Sequence, residues 1–171
     1  MNTFSLPRKG EYPSFFETYI SKLGNENFST LLQSQTQELK ALFASKPEGW
    51  DCVPYAPGKW SPKEVLGHLL DTERIMTFRA LCIARGEKKP LPGFDQDPYV
   101  FQGQFNAVFL DDLLSDFEMQ RQAIRSMVQT FPEASFEEIG SANGNLMSTR
   151  ALLWIIPGHF IHHFQVLQQA Y

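Results

Sequence analysis

Several ordinary ingredients are scarce in this sequence of 171 residues. Only two cysteines occur, Cys52 and Cys82, and they form neither a CxxC pair nor a zinc-finger spacing. A redox dithiol, a finger and a disulfide scaffold are thereby excluded. Nothing in sequence pairs Cys52 with a base, so it is expected to be a buried, inert thiol. Basic residues number 15 against 19 acidic ones, and the net charge is -4. That balance argues against nucleic-acid binding through a broad basic surface. The longest apolar run, Ala151 to Ile156, is far too short to span a membrane. The opening residues, Met1 to Arg8, carry no apolar stretch fit for a signal peptide. A cytoplasmic protein with reduced thiols and no membrane partner is the expectation. Internal repeats, low-complexity tracts and charge blocks are also missing. Histidine is rare at four residues, yet His159, His162 and His163 fall within five positions of one another.

The length fits about one domain, here the whole of residues 1–171 with a core over about 28–171, and such a chain builds a core without staples. Hydrophobic residues make up 43% and charged residues 20%, which places the chain among folded soluble proteins rather than disordered ones. Fifteen phenylalanines point to an aromatic interior.

Residues Pro13 to Leu23 suit a short helix ended by Gly24-Asn25. Phe28 to Ala44 places Phe28, Leu31, Leu32, Leu39, Leu42 and Phe43 on one stripe of a helix. Ser61-Pro62-Lys63-Glu64 is a strong helix start: Ser61 caps, Pro62 fits the first turn and Glu64 completes a capping box. That helix is expected to run to about Arg85 and stop at Gly86. Leu91 to Phe109 is loop-rich, and the long loop from Lys89 to Phe109 reads as either a crossover or a cover for a site. A further helix begins near Asp111-Asp112 and ends before Pro132. After a break at Gly140 to Asn145, Ser148 or Thr149 caps a last helix. Convincing strands are absent. The expected fold is all-α: an antiparallel four-helix bundle with a short extra N-terminal helix.

His159 and His163 are four apart on the last helix, one turn from each other on one face. Ile155, Ile156, Val166 and Leu167 share that face, so both imidazoles point inward. His68 shares its face with Val65, Ile75 and Met76. Three imidazoles from two facing helices suit a divalent metal: zinc or nickel foremost, then iron or manganese. Three protein ligands leave a coordination position open, the pattern of catalytic zinc. The competing reading is a set of hydrogen-bonded core histidines. His162 lies nearer the edge of the stripe and is expected to support the site or face the surface. The helix is not a zincin helix, because Phe160 stands where that motif has glutamate.

At these residues the sequence resembles the DinB/YfiT-like superfamily. The matching pieces are Gly58-Lys59-Trp60-Ser61-Pro62-Lys63-Glu64-Val65-Leu66-Gly67-His68-Leu69-Leu70-Asp71 and Gly158-His159-Phe160-Ile161-His162-His163, supported by Arg79 to Gly86 and Leu91 to Asp95. The resemblance covers roughly residues 28–171. It implies an antiparallel four-helix bundle with an unusual connection and a divalent metal held by His68, His159 and His163. It further implies a metal-dependent hydrolase or a transferase of low-molecular-weight thiols such as bacillithiol or mycothiol, acting on a small molecule. Family members often self-associate, which makes a homodimer an expectation too. A non-catalytic metal- or ligand-binding stress protein of the same fold is the alternative. Two departures stand out. Phe160 follows the first late histidine, where an acidic residue is frequent in the family. Pro157 either kinks the last helix or makes it begin anew.

Other polar and aromatic residues complete the candidate site. Asp71 or Glu64 can orient the His68 imidazole through its second nitrogen, although Glu64 equally serves the capping box. Arg79 near the site mouth is placed to bind an anionic substrate group, with a solvated ion pair as the plainer role. Phe94, Asp95, Asp97 and Tyr99 are candidates for a loop over the metal. Trp60 is expected in the pocket wall, and Trp50 and Trp154 in the core or that wall.

Overall fold

The computed structural model describes residues 4–171. Met1 to Thr3, which open the stretch read above as lacking a signal peptide, lie outside the described residues. Six α-helices are present among the described residues: α1 (Glu17–Ile20), α2 (Phe28–Ala44), α3 (Pro62–Ala84), α4 (Gln96–Gly103), α5 (Leu110–Gln129) and α6 (Thr149–Gln169). One small antiparallel sheet joins β1 (Ile139–Ala142) to β2 (Asn145–Ser148). None of the helices is long and apolar enough to cross a membrane.

The capping chemistry expected from sequence is in place. The Glu64 amide donates to Ser61 Oγ at 3.2 Å, and the Ser61 amide donates to a Glu64 carboxylate oxygen at 2.7 Å. Ser148 caps α6 by accepting from the Ala151 amide at 3.1 Å. The helix around Pro157 is one continuous element rather than two. Gln35 Nε2 of α2 donates to the Pro157 carbonyl at 3.1 Å and ties α6 to α2 at this point.

The four long helices form two antiparallel pairs. In α2–α5, Arg125 near the end of α5 donates to Ser29 Oγ at 2.7 Å, near the start of α2. In α3–α6, His68 meets His159, and the last residue, Tyr171, donates from its hydroxyl to the Trp60 carbonyl before α3 begins. The bundle is therefore the one expected, and the long connection after α3 is its unusual part. That segment starts beyond Ala84 and returns to the opposite end of the same helix. There Phe105 lies where a side chain on Gly67 would otherwise be, 2.2 Å from an added Cβ, and Ser61 Oγ donates to Asn106 Oδ1 at 2.7 Å. Helix α5 then begins beside the start of α3, and Arg85 at the far end covers the Phe131 ring at 5.0 Å. The crossover reading is thus correct, while the reading of this stretch as loop throughout is not: Asp95 caps α4 by accepting from the Asp97 amide. Those two pieces of side-chain chemistry, an aspartate cap and a glycine groove, order the segment.

The strands are the second correction. Asn143 and Gly144 both adopt positive φ, 51° and 72°, the turn that folds two short strands into a tight hairpin. Leu91 joins its edge, donating to the Ser141 carbonyl and accepting from the Asn143 amide. The hairpin thereby ties down the start of the crossover.

Buried apolar residues fall into two clusters. One gathers Met76, Ile83, Ile124, Leu152 and Trp154 with Phe28; the other gathers Leu66, Leu69, Phe117 and Phe160 with Phe105. Between them runs a polar core the sequence did not announce. Arg121, 1% exposed, pairs with Glu73 at 2.5 Å, donates to Gln35 Oε1 at 2.7 Å and lies over both the Phe117 and Phe160 rings. Cys52 is exposed, contrary to expectation, because it sits in the surface turn Trp50–Cys52 before α3.

Candidate metal centre

Three imidazoles converge on the seam of α3 and α6. His68 Nε2 and His163 Nε2 each stand 3.0 Å from His159 Nε2. The three ring nitrogens all lie within 4.8 Å of one another. Two nitrogens each about 2.05 Å from a tetrahedral ion are roughly 3.3 Å apart, so the observed spacing is within a few tenths of a liganding geometry. Hydrogen bonding alone serves the cluster poorly, since His159 Nε2 faces two imidazole nitrogens with either one proton or one lone pair to offer. His159 Nδ1 is buried with no hydrogen-bond partner among the described residues. Such an atom carries a desolvation cost, and a cation bound at the Nε2 side fits the donor set.

Burial sets the charge state. It pushes His68 down to about 4 and His163 to about 3, with neighbouring imidazoles adding to both. Fully buried His159 is held well below its ordinary value for the same reasons. All three are neutral at pH 7, the form that ligates metals.

The supporting groups differ from those expected. Thr72 Oγ1, one turn after His68, lies 3.5 Å from His68 Nδ1. Asp71 makes no bond to the imidazole; it is half-buried, and burial raises its carboxyl pKa. Glu64 is spent on the capping box. Glu64 and Thr72 both lie one turn from His68; with Glu64 held by the cap, it is Thr72 that stands beside the ring. His162 stacks edge-on between Tyr19, at 5.5 Å, and His163, at 4.9 Å, and lies outside the triad. Trp60 lies against His68 with ring centroids 4.8 Å apart.

Two cavities meet at the triad. The first, about 320 Å³, is bordered by His68, His159, Thr72 and Arg79, and by Phe94 and Asp95 of the crossover. The second, about 340 Å³, is bordered by His162, His163, Trp60, Asp97 and Tyr171. Tyr99 reaches neither; it packs behind Phe94, with ring centroids 5.3 Å apart. The N-terminal segment, left outside the expected core, supplies Phe15, Phe16 and Tyr19 to the first cavity. Tyr19 meets the His159 ring edge-on at 5.2 Å. Its seat depends on Gly158, where a Cβ would stand 2.5 Å from the Tyr19 carbonyl oxygen. A glycine inside a helix, one residue before a candidate ligand, was the available signal for that close approach.

Fold and site together define a helical-bundle protein with a cluster of three histidines, two buried and one partly buried, suited to a metal ion. The chain belongs to the DinB superfamily, whose sequence profile matches residues 31–167. Among solved structures it is similar to YfiT from Bacillus subtilis, a probable metal-dependent hydrolase with an unusual four-helix bundle topology. That match has a TM-score of 0.78 at 14% identity and covers 99% of this chain and 93% of the other. It is also similar to a mycothiol-dependent maleylpyruvate isomerase, with a TM-score of 0.65 at 15% identity, over 84% of this chain and 61% of that one. At such identities the likeness concerns the fold. No protein with a curated description matches the sequence.

Proposed function

We propose that this chain is a metal-dependent enzyme that brings a low-molecular-weight thiol or a water molecule to a small electrophile. The observation that carries the proposal is the set of three Nε2 atoms with 3.0 Å contacts at His159, open to two cavities. His68, His159 and His163 hold the divalent ion, zinc or nickel foremost. When bound, such an ion acts as a Lewis acid that lowers the pKa of a thiol or water. Thr72 steadies the His68 ring, and Tyr19 and Trp60 shield the imidazoles from solvent.

The thiol is the favoured nucleophile. Among the described residues no carboxylate hydrogen-bonds to the three imidazoles, and Phe160 occupies the position next to His159. A free thiol ionises at about 8.5 and water at about 15.7, so the ion has much less to lower for the thiol. Two cavities flanking one triad also suit two reactants. The neighbours support this reading, one being called metal-dependent and the other thiol-dependent. A second reading, a non-catalytic metal-binding protein, draws on the buried Phe160 ring in place of an acid. The two separate in a conjugation assay with zinc- or nickel-loaded protein, bacillithiol or mycothiol, and the electrophile monochlorobimane. Thiol consumption above the uncatalysed rate that disappears in His163→Ala is expected. An equal rate with and without protein, across both thiols and metals, contradicts catalysis.

A further inference from the structure

Four cationic side chains are buried among the described residues, and three have a carboxylate. Lys63 has Asp51 at 3.3 Å, Arg121 has Glu73 at 2.5 Å and Arg150 has Glu11. The fourth, Arg79, is 5% exposed and has no acidic group within salt-bridge distance. Its guanidinium donates to the Pro92 carbonyl at 2.6 Å, touches Met76 Sδ at 3.9 Å and faces the Phe94 ring at 5.8 Å. A guanidinium has five N–H donors, so most are unspent. The same side chain borders the first cavity together with His68 and His159. Burial pulls its pKa below the ordinary value, and no neighbouring charge offsets that pull. A buried charge without a partner is costly, and arginine does not escape by losing its proton. The missing partner is therefore to be sought in whatever enters the cavity.

We propose that Arg79 is the anion-recognition group of this cavity, and that its ligand is a small carboxylic acid held by its carboxylate on Arg79 with its other end at the three histidines. The proposal rests on the metal reading above for what happens at that other end. Carboxylate is favoured over phosphate because Arg79 is the only cation bordering the cavity among the described residues, and Asp95, which also borders it, repels a dianion. One planar fork matches one carboxylate bidentately. Helix α3 sets the ligand's length. His68, Thr72, Met76 and Arg79 border one cavity, and eleven residues span about 16 Å of helix. The His68 and Arg79 side chains both lean toward the helix N-terminus, and the longer arginine, in contact with Met76, reaches further along it, leaving on the order of 10 Å between the two ends. A smaller cavity of about 120 Å³ that Arg79 also borders is walled by Ile75, Phe78, Leu91, Phe94 and Tyr99, and none of the three histidines borders it.

The test uses suberic acid monohydroxamate, whose hydroxamate chelates zinc and whose far end is a carboxylate, beside its methyl ester. Isothermal titration of zinc-loaded full-length protein is expected to show the acid binding about ten- to a hundredfold more tightly than the ester, the range of a charge-assisted contact. Arg79→Gln is expected to bring the acid down to the ester's affinity and leave the ester unchanged. Arg79→Lys keeps the charge without the fork and is expected to lose at least threefold of the preference; it replaces the glutamine variant if that one does not fold. Equal affinity of acid and ester for the unmodified protein, or a preference that survives both substitutions, overturns the proposal. An ester that binds metal-free and zinc-loaded protein equally counts against the metal reading alone, because the acid-to-ester ratio still reports on Arg79.

Discussion

A buried imidazole that is neutral in the fold and charged when unfolded makes stability depend on pH. The unfolded chain protonates its histidines near 6.5, whereas His68 does so at about 4 and His163 at about 3 in the fold. Below pH 6.5 the unfolded state of the metal-free protein binds more protons, so the fold loses stability as pH falls, until the folded values are passed. Each such histidine contributes a slope of up to about 1.4 kcal/mol per pH unit. Urea melts between pH 7.5 and 4.5 are expected to show a shallower decline for His163→Gln than for the unmodified protein; parallel declines contradict it. Arg121 and Glu73 give a second residue-scale expectation. Glu73→Ala strands a guanidinium that is 1% exposed, and breaking a buried pair from one side costs about 3–5 kcal/mol. Replacing the pair with Glu73→Leu and Arg121→Met is expected to be much milder in the same denaturation assay. The histidines were legible from their spacing because four residues return a helix to one face. Arg121 and Tyr19 were not, since their roles come from neighbours far away in the chain, whereas Thr72, one turn from His68, was within reach of the same spacing rule and was passed over for the charged Asp71 and Glu64.

Among the elements, α6 carries the most information per residue. Pro157 leaves it continuous, and Gly158 creates the notch where α1 is seated. Gly158→Ala puts a methyl group against the Tyr19 backbone at 2.5 Å, and overpacking of this kind costs about 1–3 kcal/mol. The expected result is faster amide exchange across residues 14–20 while α3 and α5 stay protected; unchanged exchange there contradicts the proposed seat. Two of the element boundaries that were readable in sequence, the starts of α3 and α6, have capping side chains, Ser61 and Ser148; the start of α5 was readable from its acidic first turn without one. The hairpin had its own sign, Asn143-Gly144 between short apolar segments, but a four-residue strand has too few positions for alternation to show. Helix α4 was hidden because Pro98 and Gly103 lie within it and read as loop.

At the scale of the whole molecule, the crossover between α3 and α5 determines what the site can be. It passes along α3, brings Phe94 and Asp95 to the first cavity and Asp97 to the second, and releases the chain where α5 must start. Sequence indicated a bundle and a long connection; which helices pair and which segments roof the triad are tertiary facts with no local signature. The triad ties the two halves of that architecture together, since His68 comes from α3 and His159 and His163 from α6. A metal bound only by the fold stabilises it in proportion to its affinity. The central claim is that these three side chains hold a divalent ion. Elemental analysis of protein purified without a histidine tag, then equilibrated with zinc or nickel and desalted, tests it most directly. About one ion per chain in the unmodified protein and almost none in His68→Ala is the expected result. Equal metal in both, or none in either, contradicts the claim.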